Sequence, residues 1–330
     1  MTIKKAVKTI LKLCLTLGII GFLVQSGRLN FSRLLLLLDS PKILFTLLFV
    51  LLVFSIPLTA FRWWLLLRAI QIKLPLRRAY SLTWIGNFFN TTLPGAVTGD
   101  LVKGYYIVKL DSSEGKTKAL MTLIIDRATG LFGLIVMAFF ALIFNWGLIF
   151  SQPKLQPLAL FIIALFFGIA VFYTIILFPF AEGRDPFIRL FNKLPKSEIF
   201  LKVYNIFKLY QHHWRTLALT LGISIIVHTL SAFLFFLVAR RLGMEQINLP
   251  TQMFIMPIGL ITTAIPIAPG GIGIGHAVFE TLYLLIGISG GADIFNLFIV
   301  IQLAVYLLGG IVYFAYNSEY KDKNKDLLNE

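Results

Sequence analysis

Long apolar stretches separated by short basic segments make up most of the chain. A membrane-spanning helix needs about 20 mostly apolar residues, and six stretches come close to that length. They cover residues 8–25, 42–61, 119–145, 157–179, 216–239 and 294–316. The pattern therefore predicts an all-α polytopic membrane protein with about six full transmembrane helices.

Two further apolar regions, residues 80–104 and 253–288, are interrupted near the middle by prolines and glycines. Proline removes a backbone donor and glycine permits positive φ, so each region predicts a helix that stops and restarts. Inside a bilayer such a break is tolerated only where it is buried in protein or lines a wet cavity. We therefore predict two broken or re-entrant helical hairpins. Two tilted spans would return the chain to the same side equally well.

Composition and charge agree with a membrane protein. The chain is 58% hydrophobic and 14% charged, whereas soluble domains are about 45–50% apolar and 25% charged. Its net charge of +15 comes from basic residues beside the apolar stretches, which favours topology and anionic lipid over nucleic acid. With both termini in the cytoplasm, most of these residues lie on the cytoplasmic side of the cell membrane. Arg62 and Trp63-Trp64 are interpreted as markers of the membrane interface.

The two broken regions occupy matching places in two halves of opposite orientation. Half-repeats over residues 1–145 and 157–317 follow the pattern of an inverted-topology repeat, whose broken helices meet near the midplane at a central site.

Residues 182–214, within this single domain of residues 1–317, have an amphipathic pattern. This segment either lies in the headgroup layer or packs on the ends of the spans. Residues 318–330 predict a polar cytoplasmic tail.

The first broken region carries polar residues on both sides of a Pro-Gly pair. Asp100 is placed to cap the helix that follows, and Lys103 lies one turn later, where it would pair with Asp100. A capped helix with a local ion pair explains this pattern as well as a site for a polar headgroup does. The candidate residues are Asn87, Asn90, Pro94, Gly99, Asp100 and Lys103.

The second broken region concentrates prolines and glycines just before a helix. Successive backbone N–H groups at such a place bind anions. His276 and Glu280 follow one turn apart on a shared helix face. Close helix packing through the glycines, with Glu280 in a capping network, is the alternative. The candidate residues are Pro266, Pro269, Gly270, Gly271, Gly273, His276 and Glu280.

Asp126 and Arg127 are adjacent ionisable residues inside the third long apolar stretch. Neighbouring residues do not face each other on a helix, so each needs a partner elsewhere. Asp100, Lys103, Glu280 and a substrate are the candidate partners. A structural ion-pair network and a substrate contact are both consistent with the pattern, because an ionisable residue at membrane depth is costly unless it is paired or functional.

At these residues the chain resembles the flippase-like transmembrane region of the lysylphosphatidylglycerol synthase family, in its stand-alone form without the synthase domain. The resemblance covers nearly the full length. It is carried by Asn90 with Leu93-Pro94, Gly99-Asp100 and Lys103, by Asp126-Arg127 with Gly130, and by Pro266 through Pro269-Gly270-Gly271-Ile272-Gly273. This chain has Lys103 and His276 where the family often has Arg and Glu. The resemblance implies movement of a polar lipid across the membrane.

These observations predict a polar-lipid translocase rather than an enzyme. Its partners would be anionic or aminoacylated phospholipids or lipid-linked sugars. Neither nucleic acid nor a cofactor or metal is expected, because the chain has a single cysteine, Cys14, and no ATPase motif. A secondary transporter for a small polar solute or ion is the alternative. A lipid-headgroup-modifying enzyme with His276 and Glu280 as acid and base is a weaker one. Oligomeric state stays open, because Gly309-Gly310 suits packing within or between chains.

Overall fold

A computed structural model of the 330-residue chain describes residues 31–92, 98–110, 116–180, 185–193, 197–263 and 274–316. Every regular element among these residues is helical, which confirms the all-α prediction. The predicted span over residues 8–25 and the predicted tail over residues 318–330 lie outside the described residues.

The helices follow one another through mostly short connections. They are α1 (Phe31–Leu38), α2 (Pro41–Ala69), α3 (Leu76–Thr92), α4 (Thr98–Leu110), α5 (Lys116–Phe144), α6 (Trp146–Ser151), α7 (Pro153–Leu177), α8 (Pro186–Phe191), α9 (Ser197–Lys208), α10 (Trp214–Arg241), α11 (Leu249–Thr263), α12 (Ile274–Leu284) and α13 (Gly291–Tyr316). The long helix α2 contains a π-helical turn over Val50–Ser55.

Five of the described helices, α2, α5, α7, α10 and α13, are long and apolar enough to cross a membrane. They coincide with five of the predicted stretches. Most residues of α7 are not buried within the protein. The helix exposes Phe161, Phe167 and Val171, as expected of a helix that faces lipid. The helix α2 extends past residue 61 to Ala69, so Arg62 and Trp63 lie inside it. Their role as interface markers stays a prediction.

Both predicted interruptions coincide with the end of one helix and the start of another. In the first broken region α3 and α4 flank residues 93–97, and in the second α11 and α12 flank residues 264–273. The two intervening segments lie outside the described residues. The four helices have 17, 13, 15 and 11 residues, fewer than the about 20 that a span needs. The re-entrant course of each region stays a prediction.

The chain divides into two compact units. Unit 1 comprises residues 1–56, 81–103 and 230–330, and unit 2 comprises residues 57–80 and 104–229. Each unit contains residues from both predicted half-repeats. The two compact units therefore do not coincide with the two predicted halves. The described residues 81–92 and 98–103 of the first broken region, and 253–263 and 274–288 of the second, fall in unit 1. The inverted repeat itself stays a prediction.

Within unit 1, aromatic rings fill the space that glycines leave open. Phe279 of α12 stacks on Phe295 of α13 with ring centroids 4.9 Å apart. A Cβ atom at Gly275 would overlap the ring of Phe295, so only glycine allows this approach. At the other end of α13, a Cβ atom at Gly309 would overlap the backbone of Trp84 in α3. Gly309 therefore serves packing within one chain.

Within unit 2, the predicted amphipathic segment packs on the spanning helices by one face. Ile206 and Tyr210 are buried in a cluster with Leu66 of α2 and Ile125 of α5, and the Tyr210 hydroxyl donates to the Leu66 carbonyl at 3.0 Å. Of the two placements that the sequence allows, packing on the ends of the spans is thus observed for this face. Other positions of α9 expose large apolar side chains, including Phe200 and Val203.

A polar contact joins the two short helices of this segment. The buried Tyr204 hydroxyl of α9 donates to the carboxylate of Asp185 at 2.7 Å, and Asp185 also caps α8 by accepting from the N–H of Phe187. Burial first, and then the hydrogen bond and charge of Asp185, raise the pKa of Tyr204. The phenol therefore stays protonated and remains a donor at neutral pH.

Candidate functional site

The helices α3 and α4 approach closely where both carry a glycine. A Cβ atom at Gly99 would overlap the carbonyl oxygen of Gly86. A Cβ atom at Gly86 would lie 2.7 Å from Cδ of Lys103, so the lysine stem lies across this glycine. The two helices of the first broken region therefore form a tight hairpin, and a side chain at either glycine would push them apart.

Polar groups at the broken ends of this hairpin satisfy one another. The side-chain oxygen of Asn90 in α3 accepts from the N–H of Gly99 in α4 at 2.7 Å. This bond satisfies one of the backbone donors that the first turn of a helix leaves without an intrahelical partner. Asn87 accepts from the Thr91 hydroxyl through its backbone carbonyl at 2.9 Å. The candidates Asn87, Asn90 and Gly99 are thus part of the local architecture of the break.

Asp100 does not occupy the N-cap position, which precedes the first helical residue. It lies in the first turn of the helix rather than before it, and Asn90 supplies a cap from the neighbouring helix. The reason is tertiary: the close approach of the two helices brings an amide oxygen to the N–H that a local cap would otherwise satisfy. A carboxylate in the first turn is still favourable, because it faces the positive end of the helix dipole.

The predicted i,i+3 ion pair between Asp100 and Lys103 is confirmed. Lys103 Nζ lies 3.8 Å from Asp100 Oδ1, with the side chains 7% and 15% exposed. That separation is a charge contact beyond ordinary hydrogen-bond length. The first broken region thus holds a nearly buried ammonium group between its two helices.

Glu280 in the second broken region caps the next helix. Its two carboxylate oxygens accept from the N–H groups of Gly290 at 3.1 Å and Ala292 at 3.0 Å. Gly290 is the N-cap of α13 and has a φ of 93°, which strongly favours glycine. Both carboxylate oxygens therefore bind the backbone at the N-terminus of α13, where negative charge is favourable.

His276 also faces α13, one turn before Glu280. Its Nε2 lies 3.4 Å from the side-chain oxygen of Asn296, and its ring packs edge-on against Phe295. The predicted shared face of His276 and Glu280 is thus turned toward one helix. The remaining candidates of the broken segments, Pro94, Pro266, Pro269, Gly270, Gly271 and Gly273, lie outside the described residues.

A buried ion pair crosses between two spanning helices in unit 2. Arg62 Nε of α2 donates to Asp126 Oδ1 of α5 at 2.7 Å, with the side chains 8% and 9% exposed. Arg62 Nη1 also donates to the Ser224 hydroxyl of α10 at 2.9 Å. At about 1.5 Å per residue, the three residues lie about 10–15 Å inside the ends of their helices. The partner of Asp126 is therefore Arg62, and not one of the candidates that the sequence suggested.

Small residues make room for this network. The Cβ position of Gly130 lies 3.3 Å from Arg62 Nη1, and the carbonyl oxygen of Gly130 is 2.9 Å from Nε2 of His228 in α10. Arg127, next to Asp126 in sequence, is exposed on another face of α5. The structure thus separates Asp126 and Arg127, as their adjacency predicts.

Sequence reasoning missed Arg62 and Ser224. A signal was present in the chain: Arg62 lies within a run of apolar residues that continues beyond it, and Ser224 and His228 lie one turn apart in an apolar span. Polar residues so placed face the protein interior and find partners there. No group of three or more His, Cys, Asp or Glu residues suited to a metal ion occurs among the described residues.

Five described helices of spanning length, with an ion pair buried between two of them, define a polytopic α-helical membrane protein. The chain matches the family of the lysylphosphatidylglycerol synthase TM region over residues 9–312, and it belongs to that family. This family membership indicates a membrane protein involved in lipid handling. Neither a curated protein nor a solved structure matches the chain.

Proposed function

We propose that this protein is a polar-lipid translocase that moves a phospholipid or lipid-linked headgroup across the cytoplasmic membrane. The headgroup would cross through a polar cleft between the two broken regions while the acyl chains stay in lipid. Family membership supports a substrate in the membrane. Most described residues of both broken regions lie in unit 1, which supports their use as one path.

The observation that carries this proposal is the nearly buried pair of Lys103 and Asp100. An ammonium group at membrane depth is costly, and such groups mark substrate paths. A headgroup phosphate would bind the Lys103 ammonium beside Asp100. Asp100 would meet an amine or a sugar hydroxyl of the same headgroup.

The second broken region would bind the phosphate of the headgroup while the lipid crosses the membrane. The turn at Pro269, Gly270 and Gly271 would offer backbone N–H groups ahead of α12. Glu280, whose oxygens bind the start of α13, would position that helix rather than touch the headgroup. His276 is the titratable group that would line the path. Without an ATPase motif, transport would run downhill or with an ion gradient.

The test is translocation of headgroup-labelled lipids in proteoliposomes of the purified full chain. The lipid panel contains anionic, aminoacylated and sugar-phosphate lipids, each measured with and without a pH gradient. We expect Lys103→Gln to slow transport of the active class at least about tenfold, which corresponds to about 1.4 kcal/mol. The matched control is Lys109→Gln, because Lys109 lies on the same helix but is exposed.

Undiminished transport by a folded Lys103→Gln protein would remove this residue from the path. Movement of no lipid, with transport of a small polar solute instead, would favour a solute carrier. A change of headgroup mass during the assay would favour an enzyme. For the pair in unit 2, undiminished transport by a folded protein with Asp126→Asn and Arg127→Gln would exclude both residues from the path.

A further inference from the structure

An open cleft of about 550 Å³ lies in unit 2, where the chain leaves the spanning helix α2. After Ala69 the backbone turns through Gln71, whose φ of 65° is in the left-handed region, and runs to the start of α3 at Leu76. The cleft is lined by the last turn of α2 and by this turn. Its polar lining comes from Trp64, Arg68, Gln71 and Lys73.

The walls of the cleft are held by hydrogen bonds that need no ligand. The indole N–H of Trp64 donates to the carbonyl oxygen of Leu74 at 3.0 Å and so fixes the far end of the turn to α2. The N–H of Ile72 donates to the Leu67 carbonyl at 3.0 Å. The side chain of Leu74 is buried, which fixes the turn to the protein interior. A cleft built in this way loses little conformational entropy when it binds a ligand.

The charge of the cleft is positive throughout. The guanidinium of Arg68 lies 4.8 Å from the centre of the Trp64 ring, which orients its planar donors. Lys73 lines the cleft as well and is exposed. Residues 57–80, which form this part of unit 2, contain no Asp or Glu, and Arg77 and Arg78 follow directly. A guanidinium and an ammonium without a neighbouring carboxylate in the segment suit a phosphate ester.

We infer that this cleft binds the phosphate-ester headgroup of an anionic lipid, at a site separate in sequence and in compact unit from the proposed translocation path. The cleft lies at the end of a spanning helix, where tryptophan and basic residues meet the headgroup layer. A purely topological role would explain the positive charges. It would not explain the clamped turn, the cleft or the stacked arginine.

The test is lipid binding to the purified full chain, measured by native mass spectrometry in a neutral detergent. The probes are phosphatidylglycerol, phosphatidylcholine and soluble glycerol 3-phosphate. We expect the anionic lipid to bind in preference to phosphatidylcholine, and a double variant with Arg68→Gln and Lys73→Gln to lose about tenfold or more of that affinity. The charge-preserving Arg68→Lys should lose part of it, because lysine lacks the planar fork.

The matched control is Lys118→Gln, since Lys118 is an exposed cation of the same unit outside the cleft. An equal loss in this control would overturn the site in favour of diffuse charge attraction. Unchanged binding by the double variant would also overturn it. Binding of glycerol 3-phosphate as tight as that of the lipid would overturn the lipid assignment and identify a soluble phosphate ester. These readouts need no transport, so they stand apart from the proposed translocase activity.

Discussion

The buried ion pair of Arg62 and Asp126 affects the stability of unit 2, whether or not it takes part in transport. Each group is almost fully withdrawn from solvent, and the guanidinium gains a further bond from Ser224. Removing one partner of such a pair leaves a buried charge uncompensated, whereas removing both costs much less. The complete network therefore stabilises the packing of three spanning helices, and loss of a single partner destabilises it.

We expect Arg62→Leu or Asp126→Leu alone to lower the free energy of unfolding by about 3–5 kcal/mol, since each leaves its partner buried and unpaired. The double variant should recover a large part of that loss. Lys118→Gln is the control and should stay within about 0.5 kcal/mol, because Lys118 is an exposed cation in the first turn of α5. Unfolding of the purified proteins in detergent measures all four. A double variant less stable than both single variants would contradict this account.

Glu280 also acts at the scale of a single residue. Its carboxylate holds two backbone N–H groups at the start of α13. We expect Glu280→Gln, which keeps one acceptor oxygen, to cost about 1 kcal/mol of stability, and Glu280→Ala to cost about 2 kcal/mol or more because both donors lose their partner. Thermal unfolding compares the two. Equal losses would mean that the charge, rather than the number of acceptors, carries the effect.

At the scale of elements, glycines decide how closely helices pack. Gly133 of α5 faces α10, and a Cβ atom there would overlap the side chain of Ser224 and lie 3.0 Å from its carbonyl carbon. Gly222 of α10 has no atom within 4 Å of its Cβ position. The same substitution at the two positions therefore separates packing from helix propensity.

We expect Gly133→Ala to destabilise the protein by about 1–3 kcal/mol, because the added methyl group forces α5 and α10 apart. Gly222→Ala should be neutral or stabilise by up to about 1 kcal/mol through helix propensity. The difference in melting temperature between the two variants is the measurement. Equal effects of the two substitutions would show that α5 and α10 do not pack as closely as described.

At the scale of the whole molecule, the alternation of spanning helices fixes which loops share a side. Lys154 begins the spanning helix α7, and Lys193 follows after that helix has ended, so one span lies between them. The distribution of basic residues predicts that Lys193 is cytoplasmic. The two positions should therefore be accessible from opposite sides of the membrane.

This topology is testable with cysteines introduced into a Cys14→Ser background, since Cys14 is the single native cysteine. Lys154→Cys should react with a membrane-impermeant maleimide on intact cells, and Lys193→Cys only after permeabilisation. Labelling of both from the same side would show that α7 does not span. Labelling of Lys193→Cys alone on intact cells would invert the predicted orientation.

The class of this protein, five of its spanning helices and the places where two helices end and restart could be predicted from the sequence. The reason is that these features follow from local rules: a bilayer demands about 20 apolar residues for each span, and proline and glycine interrupt a helix wherever they cluster. The sequence also identified Asp100 with Lys103, because an i,i+3 pair needs only one helix.

Which distant residues satisfy each other could not be predicted from the sequence and is seen only in the folded protein. Asp126 pairs with Arg62, Asn90 caps a helix that begins beyond the break, and Glu280 binds the N-terminus of α13. Each contact depends on how closely separate helices approach, and that distance is set by glycines and by the side chains packed between them. The periodicity of a sequence predicts which face of a helix is buried, but it does not identify the helix that packs against that face.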